Sequence, residues 1–324
     1  MRWLPVIILP LAFAGLVFAQ DSEDRTYRFR SGTTEKDYQD LSTAVLTISG
    51  LKARAMDTAT LELSVRGPLE QVRIADWVVQ ELDRPTASTP PPPSNPYTLQ
   101  TKEPENTIRV FYPSQIATDQ SFNEVMTAVR TITDIRYVSP YTSHRAVVLR
   151  GTREQLKLAE WVLSELNRDS PQETYVFPEG RSDENQVRVF RYTRGDVQQF
   201  NEVQTMIRTL TDTRRVYPYI AKRAIVLRGS EEQIDMTKWI LAQLDKELPS
   251  AVKTSSGDYS MKGGDLMRMF YFSGTMPQKA FQDLQTNLRT ATGIRRVFPF
   301  VSARTFAVRG TATEISQVAA LAAQ

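Results

Sequence analysis

The sequence predicts an α+β chain built from four tandem copies of a β-α-β-β-α module, and three observations predict it. A short apolar run closing on Arg-Gly occurs four times, as Val65-Arg66-Gly67, Leu149-Arg150-Gly151, Leu227-Arg228-Gly229 and Val308-Arg309-Gly310. With those glycines aligned, an aromatic residue stands 29 positions earlier in every copy (Tyr38, Phe122, Phe200, Phe281), and a tryptophan stands 10 positions later in three (Trp77, Trp161, Trp239), with Ala320 in the fourth. A proline lies 11 positions before the last three glycines (Pro140, Pro218, Pro299), each followed by an aromatic residue, Tyr141, Tyr219 or Phe300. Self-similarity at fixed offsets is the signature of a repeat architecture.

Each element follows from its own pattern. The opening run alternates at period two, as in Ile108-Arg109-Val110-Phe111-Tyr112 or Val187-Arg188-Val189-Phe190, and so reads as a strand. Phe122, Val125, Met126, Val129 and Ile132 then recur at helical spacing, as do Phe200, Val203, Ile207 and Leu210. The β-rich runs Ile135 to Tyr141 and Ile294 to Val301 carry the proline, which withholds a ladder donor and marks an edge or a strand end. The third strand ends in the Arg-Gly turn. A second helix starts there behind a capping box: Thr152 with Gln155, Ser230 with Gln233, Thr311 with Glu314. Pro68 takes that position in the first copy. This helix places Leu156, Ala159, Leu163 and Leu166 on one face, or Val72, Ala75, Val79 and Leu82. Two helices on one face of a three-stranded sheet make a small module.

The predicted organisation is a signal peptide at 1–19, module 1 at 20–83, a Pro-rich linker at 84–105, module 2 at 106–168, a linker at 169–185, module 3 at 186–246, a linker at 247–265 and module 4 at 266–324. The signal peptide rests on Arg2, the apolar run Trp3 to Phe18 and the Val17-Phe18-Ala19 end before Gln20. It implies export across the inner membrane and a periplasmic location. No later apolar stretch is long enough to cross a bilayer. Thr89 to Ser94, with four consecutive prolines, favours extended polyproline II structure, and the polar linkers suggest beads on connectors rather than one fused core.

Composition narrows the chemistry. Forty basic and 37 acidic residues give a formal charge of +3, too balanced to imply a nucleic acid or an anionic membrane surface. There is no cysteine, so disulfides, thiolate metal sites and a lipidated cysteine are excluded. The single histidine, His144, sits between Ser143 and Arg145, and Lys222 and Ala303 take its place in other copies, so it reads as structural or solvated. No nucleophile elbow, phosphate-binding loop or metal-spaced cluster occurs. The expectation is a non-enzyme without cofactor, metal or small-molecule substrate.

The candidate protein-contact residues are the repeated arginines and tryptophans. Arg66, Arg150, Arg228 and Arg309 alternate with the apolar residues of the third strand, and so lie on its outer face, either solvated beside acids or as a basic stripe for an acidic partner. A further basic residue stands 15 positions before each glycine: Lys52, Arg136, Arg214, Arg295. Trp161 lies five residues after Leu156, about 140° around a helix of 3.6 residues per turn, so Trp77, Trp161 and Trp239 fall off the core stripe. They fit either beneath their own linker or on the adjacent helix, or against a neighbouring module or partner.

Arg223 to Ile234, Arg-Ala-Ile-Val-Leu-Arg-Gly-Ser-Glu-Glu-Gln-Ile, running on to Trp239-Ile-Leu-Ala-Gln-Leu-Asp245, resembles the periplasmic N-domains of bacterial secretins, as does Arg145 to Asn167. The resemblance covers all four modules, modules 2 and 3 most fully. It implies KH-like β-α-β-β-α units that assemble into rings and contact other components of secretion or type IV pilus machinery. This chain departs from that family in having no long β-rich pore region. The implied partners are proteins, either the chain itself or a secretin-type envelope complex. The alternative is a KH-like nucleic-acid-binding protein, against which stands the absence of a Gly-x-x-Gly loop.

Overall fold

The structure is a computed structural model that describes residues 22–31, 34–84, 91–101, 103–114, 116–168, 173–179, 183–246, 254–272, 277–302 and 304–323. The expected signal peptide, and Thr89 and Pro90 of the proline run, lie outside the described residues. Among the described residues, eight α-helices and four antiparallel sheets repeat in order along the chain.

Module 1 comprises β1 (Ser22–Arg28), α1 (Glu35–Ser49), β2 (Lys52–Asp57), β3 (Glu62–Pro68) and α2 (Leu69–Leu82). Module 2 comprises β4 (Tyr97–Thr98), β5 (Thr107–Phe111), α3 (Asp119–Thr133), β6 (Tyr137–Tyr141), β7 (Ala146–Gly151) and α4 (Arg153–Asn167). Module 3 repeats this with β8 (Tyr175–Val176), β9 (Gln186–Arg191), α5 (Val197–Thr211), β10 (Arg215–Tyr219), β11 (Ala224–Gly229) and α6 (Glu231–Leu244), plus a 3₁₀ turn at Ile220–Lys222. Module 4 holds β12 (Thr254–Ser255), β13 (Tyr259–Ser260), β14 (Leu266–Tyr271), α7 (Gln278–Thr292), β15 (Arg296–Phe300), β16 (Thr305–Gly310) and α8 (Ala312–Ala322).

The third strand is central in every sheet: the orders are β1-β3-β2, β4-β5-β7-β6, β8-β9-β11-β10 and β12-β14-β16-β15, with β13 also on β14. The linkers therefore contribute short strands that pair with the opening strand of the module they lead into, an element beyond the expected five.

The modules are not separate beads. Along β11, Ile225 and Leu227 enter the core of module 3, whereas Ala224 and Val226 join the core of module 2. Along β7, Val147 and Leu149 serve module 2, and Ala146 and Val148 serve module 1. Val308 of β16 packs in module 4, and Ala307 packs in module 3. In modules 2 to 4 the central strand is thus apolar on both faces, as strands covered on two sides are. One face meets the module's own helices. The other meets the first helix of the preceding module, so a small core that buries little apolar area alone is completed by its neighbour.

The capping boxes form as expected at Thr152, Ser230 and Thr311, and Pro68 makes no side-chain cap. They also explain the repeated glycine. None of the four has a positive φ. In the three capped copies the capping side chain folds over it instead: a Cβ at Gly229 would lie 2.4 Å from Gln233 Oε1, one at Gly151 2.8 Å from Gln155 Oε1 and one at Gly310 2.6 Å from Glu314 Oε2, whereas at Gly67 it would meet Leu51 Cδ2 at 2.3 Å. Gln233 accepts from the Ser230 N–H at 2.9 Å and donates to the Thr211 carbonyl at 3.0 Å, tying the start of α6 to the end of α5. Gly229→Ala displaces that amide and is expected to cost about 1 kcal/mol, the worth of a helix cap, measured by denaturant unfolding. Gly229→Ala combined with Gln233→Ala should cost little more than Gln233→Ala alone.

Candidate functional site

The candidate site is the junction between successive modules, built three times from the same parts. Its floor is the outer face of a sheet and its roof is the first helix of the preceding module. At the centre stands the arginine of the Arg-Gly turn. Arg228 donates to the Ile132 carbonyl at 2.8 Å, to the Glu184 carbonyl at 2.8 Å and to Asp134 at 3.1 Å. Arg150 donates to the Ile48 carbonyl at 3.1 Å, the Glu105 carbonyl at 3.0 Å and Glu103 at 3.1 Å. Arg309 reaches the Leu210 carbonyl at 2.8 Å, Asp212 at 3.0 Å and Asp265 at 3.2 Å.

Ile48, Ile132 and Leu210 lie in the last turn of α1, α3 and α5, where carbonyls lack an intrahelical partner and the helix dipole is negative. A guanidinium satisfies both conditions at once. Burial pushes the Arg228 guanidinium below its ordinary pKa, and Asp134 opposes that shift; an arginine keeps its charge at neutral pH. It also lies over the Phe177 ring at 4.6 Å, as Arg150 does over Tyr137 at 5.0 Å.

The outer-face position expected for these arginines is where they stand, but three of them are covered by the preceding module. Arg150 and Arg228 are 7% and 5% exposed. Arg66, with no preceding module among the described residues, remains exposed, and its nearest acid is Asp24 at 4.0 Å.

Around the arginine, the sequence reasoning missed several residues. Asp134 and Asp212 cap α3 and α5 in the left-handed conformation, with φ of 59° and 55°, a conformation that aspartate tolerates. They turn their carboxylates to the next module, where Arg215 pairs with Asp134 at 2.9 Å and Arg296 with Asp212 at 2.7 Å. Arg215 also pairs with Glu184. The recurring basic residues Arg214 and Arg295 stand one position earlier and are exposed, as are Lys52 and Arg136; strand alternation turns Arg215 and Arg296 toward the preceding module instead. The signal available was an aspartate 17 positions before the glycine in copies 2 and 3, where copies 1 and 4 have Gly50 and Gly293.

The other end of the roof helix carries a second latch. Asp40 accepts from the Thr142 N–H at 2.9 Å, Glu124 from the Ile220 N–H at 3.0 Å, and Glu202 from the Ser302 hydroxyl at 3.2 Å. In the first junction Asp37 also accepts from the Ser143 hydroxyl, as well as from the Thr34 hydroxyl at 2.8 Å. Burial pushes the Asp37 carboxyl up, but the hydrogen bonds from Ser143 and Thr34 outweigh it and hold the group below its ordinary 3.8. Its contribution is therefore present above the ordinary value and lost as pH falls through the lower folded one. Unfolding midpoints of the wild type should accordingly fall on acidification below about pH 4, with Asp37→Asn showing a shallower fall. His144 stacks on Tyr141 at 4.1 Å in the same turn, half-buried. Burial lowers its pKa against the pull of Asp37 and Asp83.

The tryptophans form a third element. Trp77 stacks on Tyr97 at 5.4 Å, Trp161 meets Tyr175 at 5.3 Å, and Trp239 meets Tyr259 at 5.9 Å. Each tyrosine belongs to a short linker strand, so each half-buried tryptophan clasps the chain leading into the next module. Trp161→Ala should lower stability by about 2 kcal/mol and speed proteolytic cleavage of the linker between modules 2 and 3.

The described residues contain no cluster of metal-ligating side chains, and no helix among them is long and apolar enough to cross a membrane. No family model and no curated protein matches the chain. Among solved structures, the chain is similar to ExeD of Aeromonas hydrophila, at 12% identity over 77% of this chain and 43% of that one, with a TM-score of 0.17. It is also similar to the ETEC pilotin–secretin AspS–GspD complex, at 11% identity over 73% of this chain and 39% of that one, again with a TM-score of 0.17. The chain spans less than half the length of either.

Proposed function

We propose that this chain is a non-catalytic protein–protein assembly module of the bacterial periplasm, whose partner is a secretin-type envelope complex or further copies of itself. The observation that carries the reading is the threefold junction. One arginine, one helix end and one acid latch recur in register and fix four KH-like β-α-β-β-α modules into a single stack. Such a stack presents a repeated surface, on which weak contacts in series sum to useful affinity. The residue pattern shared with secretin N-domains supplies the class of partner, and the apolar leader supplies the compartment.

In this reading Trp77, Trp161, Trp239, Arg150, Arg228 and Arg309 act in assembly as positioning residues, holding the stack's flank in shape. Arg66 is the member of the set placed to meet an acidic partner surface directly. Affinity capture of the tagged mature chain from gently solubilised native envelopes, read by mass spectrometry, tests the proposal. Recovery of a secretin or another secretion or pilus component supports it, as does a large homo-oligomer. Recovery of the chain alone as a monomer overturns it.

A further inference from the structure

The junction is made three times, and one unpaired half of it stands at each end of the described stack. Among the described residues, the sheet of module 1 presents the floor without a roof, and α7 of module 4 presents the roof without a floor. Residue type at these two faces departs from the internal ones in one direction.

On the floor, the cross-strand pair at the centre is Val110 with Val148 in module 2, Val189 with Val226 in module 3 and Met269 with Ala307 in module 4. Module 1 places Thr26 opposite Ser64 there, bonded through their hydroxyls at 2.8 Å. Its flanking pairs are Asp24 with Arg66 and Arg28 with Glu62. On the roof, the buried pair is Ala44 and Ile48 in α1, Ala128 and Ile132 in α3, Met206 and Leu210 in α5. In α7 the same places hold Asn287 and Ala291, both exposed.

We infer that the polar end faces of modules 1 and 4 do not accept a second copy of the chain head to tail. The physical ground is what such a contact would bury. A junction between two copies would place Asp24, Arg28 and Glu62 of one chain beneath α7 of another. It would replace the apolar centre with hydroxyls against an amide. Burying those charges costs more than Arg66 on a helix end returns. Stacked repeats need polar outer faces at their ends to remain soluble. An end-to-end contact between unlike faces is heterologous, and it grows into a filament or ring. Polar end faces suppress that growth and leave the flanks of the stack as the surface on which copies of the chain associate.

The test restores the apolar pattern one end at a time in the full mature chain. One variant carries Thr26→Val, Glu62→Ala and Ser64→Val; the other carries Asn287→Ala and Ala291→Leu. Sedimentation velocity should show each single-end variant sedimenting as the wild type does. A mixture of the two should add a species of twice the mass, and the five-fold variant should give an open-ended, concentration-dependent series. Far-UV circular dichroism confirms that each variant is folded. A mixture of folded variants without the doubled species overturns the inference, because polarity would then not be what closes the ends. The wild type decides independently of these variants. If it associates, and Arg66→Glu with Asn287→Lys dissolves that association, its ends do dock and the inference fails. If its oligomer survives both changes, assembly runs along the flanks, as inferred.

Discussion

Arg228→Ala is expected to destabilise the junction between modules 2 and 3 by about 3 kcal/mol, the scale of removing one partner from a buried, hydrogen-bonded charge site. The guanidinium is the donor to the Ile132 and Glu184 carbonyls, both of which lose it on truncation. Asp134 loses one cation but keeps Arg215 at 2.9 Å, and it is half exposed, so its share of the loss is small. Arg228→Lys should recover only part, because an ammonium on a flexible stem does not reproduce the planar fork that reaches two carbonyls and a carboxylate. Arg66→Ala, the same change at the same register position, should stay within about 0.5 kcal/mol, as surface substitutions do. Hydrogen exchange should show the loss at residues 130–136 and 183–187 in Arg228→Ala before the remainder of either module. Equal effects at the two arginines would mean that this residue serves its own sheet rather than the junction.

That contrast bears on what could be read from the sequence. The repeat, its mixture of helices and strands and the capping boxes were legible, because each rests on local chemistry: period two, period 3.6, a hydroxyl three residues before a Gln or Glu. Stacking was less so, although its trace was present. The central strands read Ala-Val-Val-Leu-Arg, Ala-Ile-Val-Leu-Arg and Thr-Phe-Ala-Val-Arg in modules 2, 3 and 4, against Glu-Leu-Ser-Val-Arg in module 1. A strand solvated on one face alternates, as the first copy does; a nearly continuous apolar run is covered on both. The polar linkers argued for separate beads. They describe how the chain travels between modules and say nothing of the faces that meet. What the sequence did not reveal was the ligand of the arginines. A helix's terminal carbonyls are a property of backbone geometry, the same for any residue that supplies them, and no side-chain pattern announces them. Asp134 and Asp212 were the visible partial exception, as left-handed caps in place of glycine.

The tryptophans show the same division. Their position beside the core stripe follows from helical geometry, and in the structure all three are half-buried, packed against the edge of a core. Their partners Tyr97, Tyr175 and Tyr259 stand 20, 14 and 20 positions after the tryptophans, so the offset breaks in the second copy. Variable spacing hid a contact that recurs in space.

The second large effect is expected from a charge placed on the covered face. Val226 is fully buried at the centre of the floor of the second junction, paired across the ladder with Val189 and Tyr217. Val226→Asp puts a carboxylate among apolar groups of α3 with no cation in reach on its own strand except Arg228, which is already committed to a helix end. The cost is several kcal/mol, on the order of 4, whether taken as an unpaired buried charge or as a carboxyl forced to stay protonated. Ser64→Asp makes the same carboxylate at the equivalent position of module 1, whose floor is open and flanked by Arg66, and should change stability by less than about 0.5 kcal/mol. Because desolvation raises the pKa of a buried carboxyl, the Val226→Asp penalty should shrink as pH falls below the raised value and the group takes up its proton. A Val226→Asp deficit that persists unchanged into acid would point to lost packing instead, and Val226→Asn, isosteric and uncharged, separates the two.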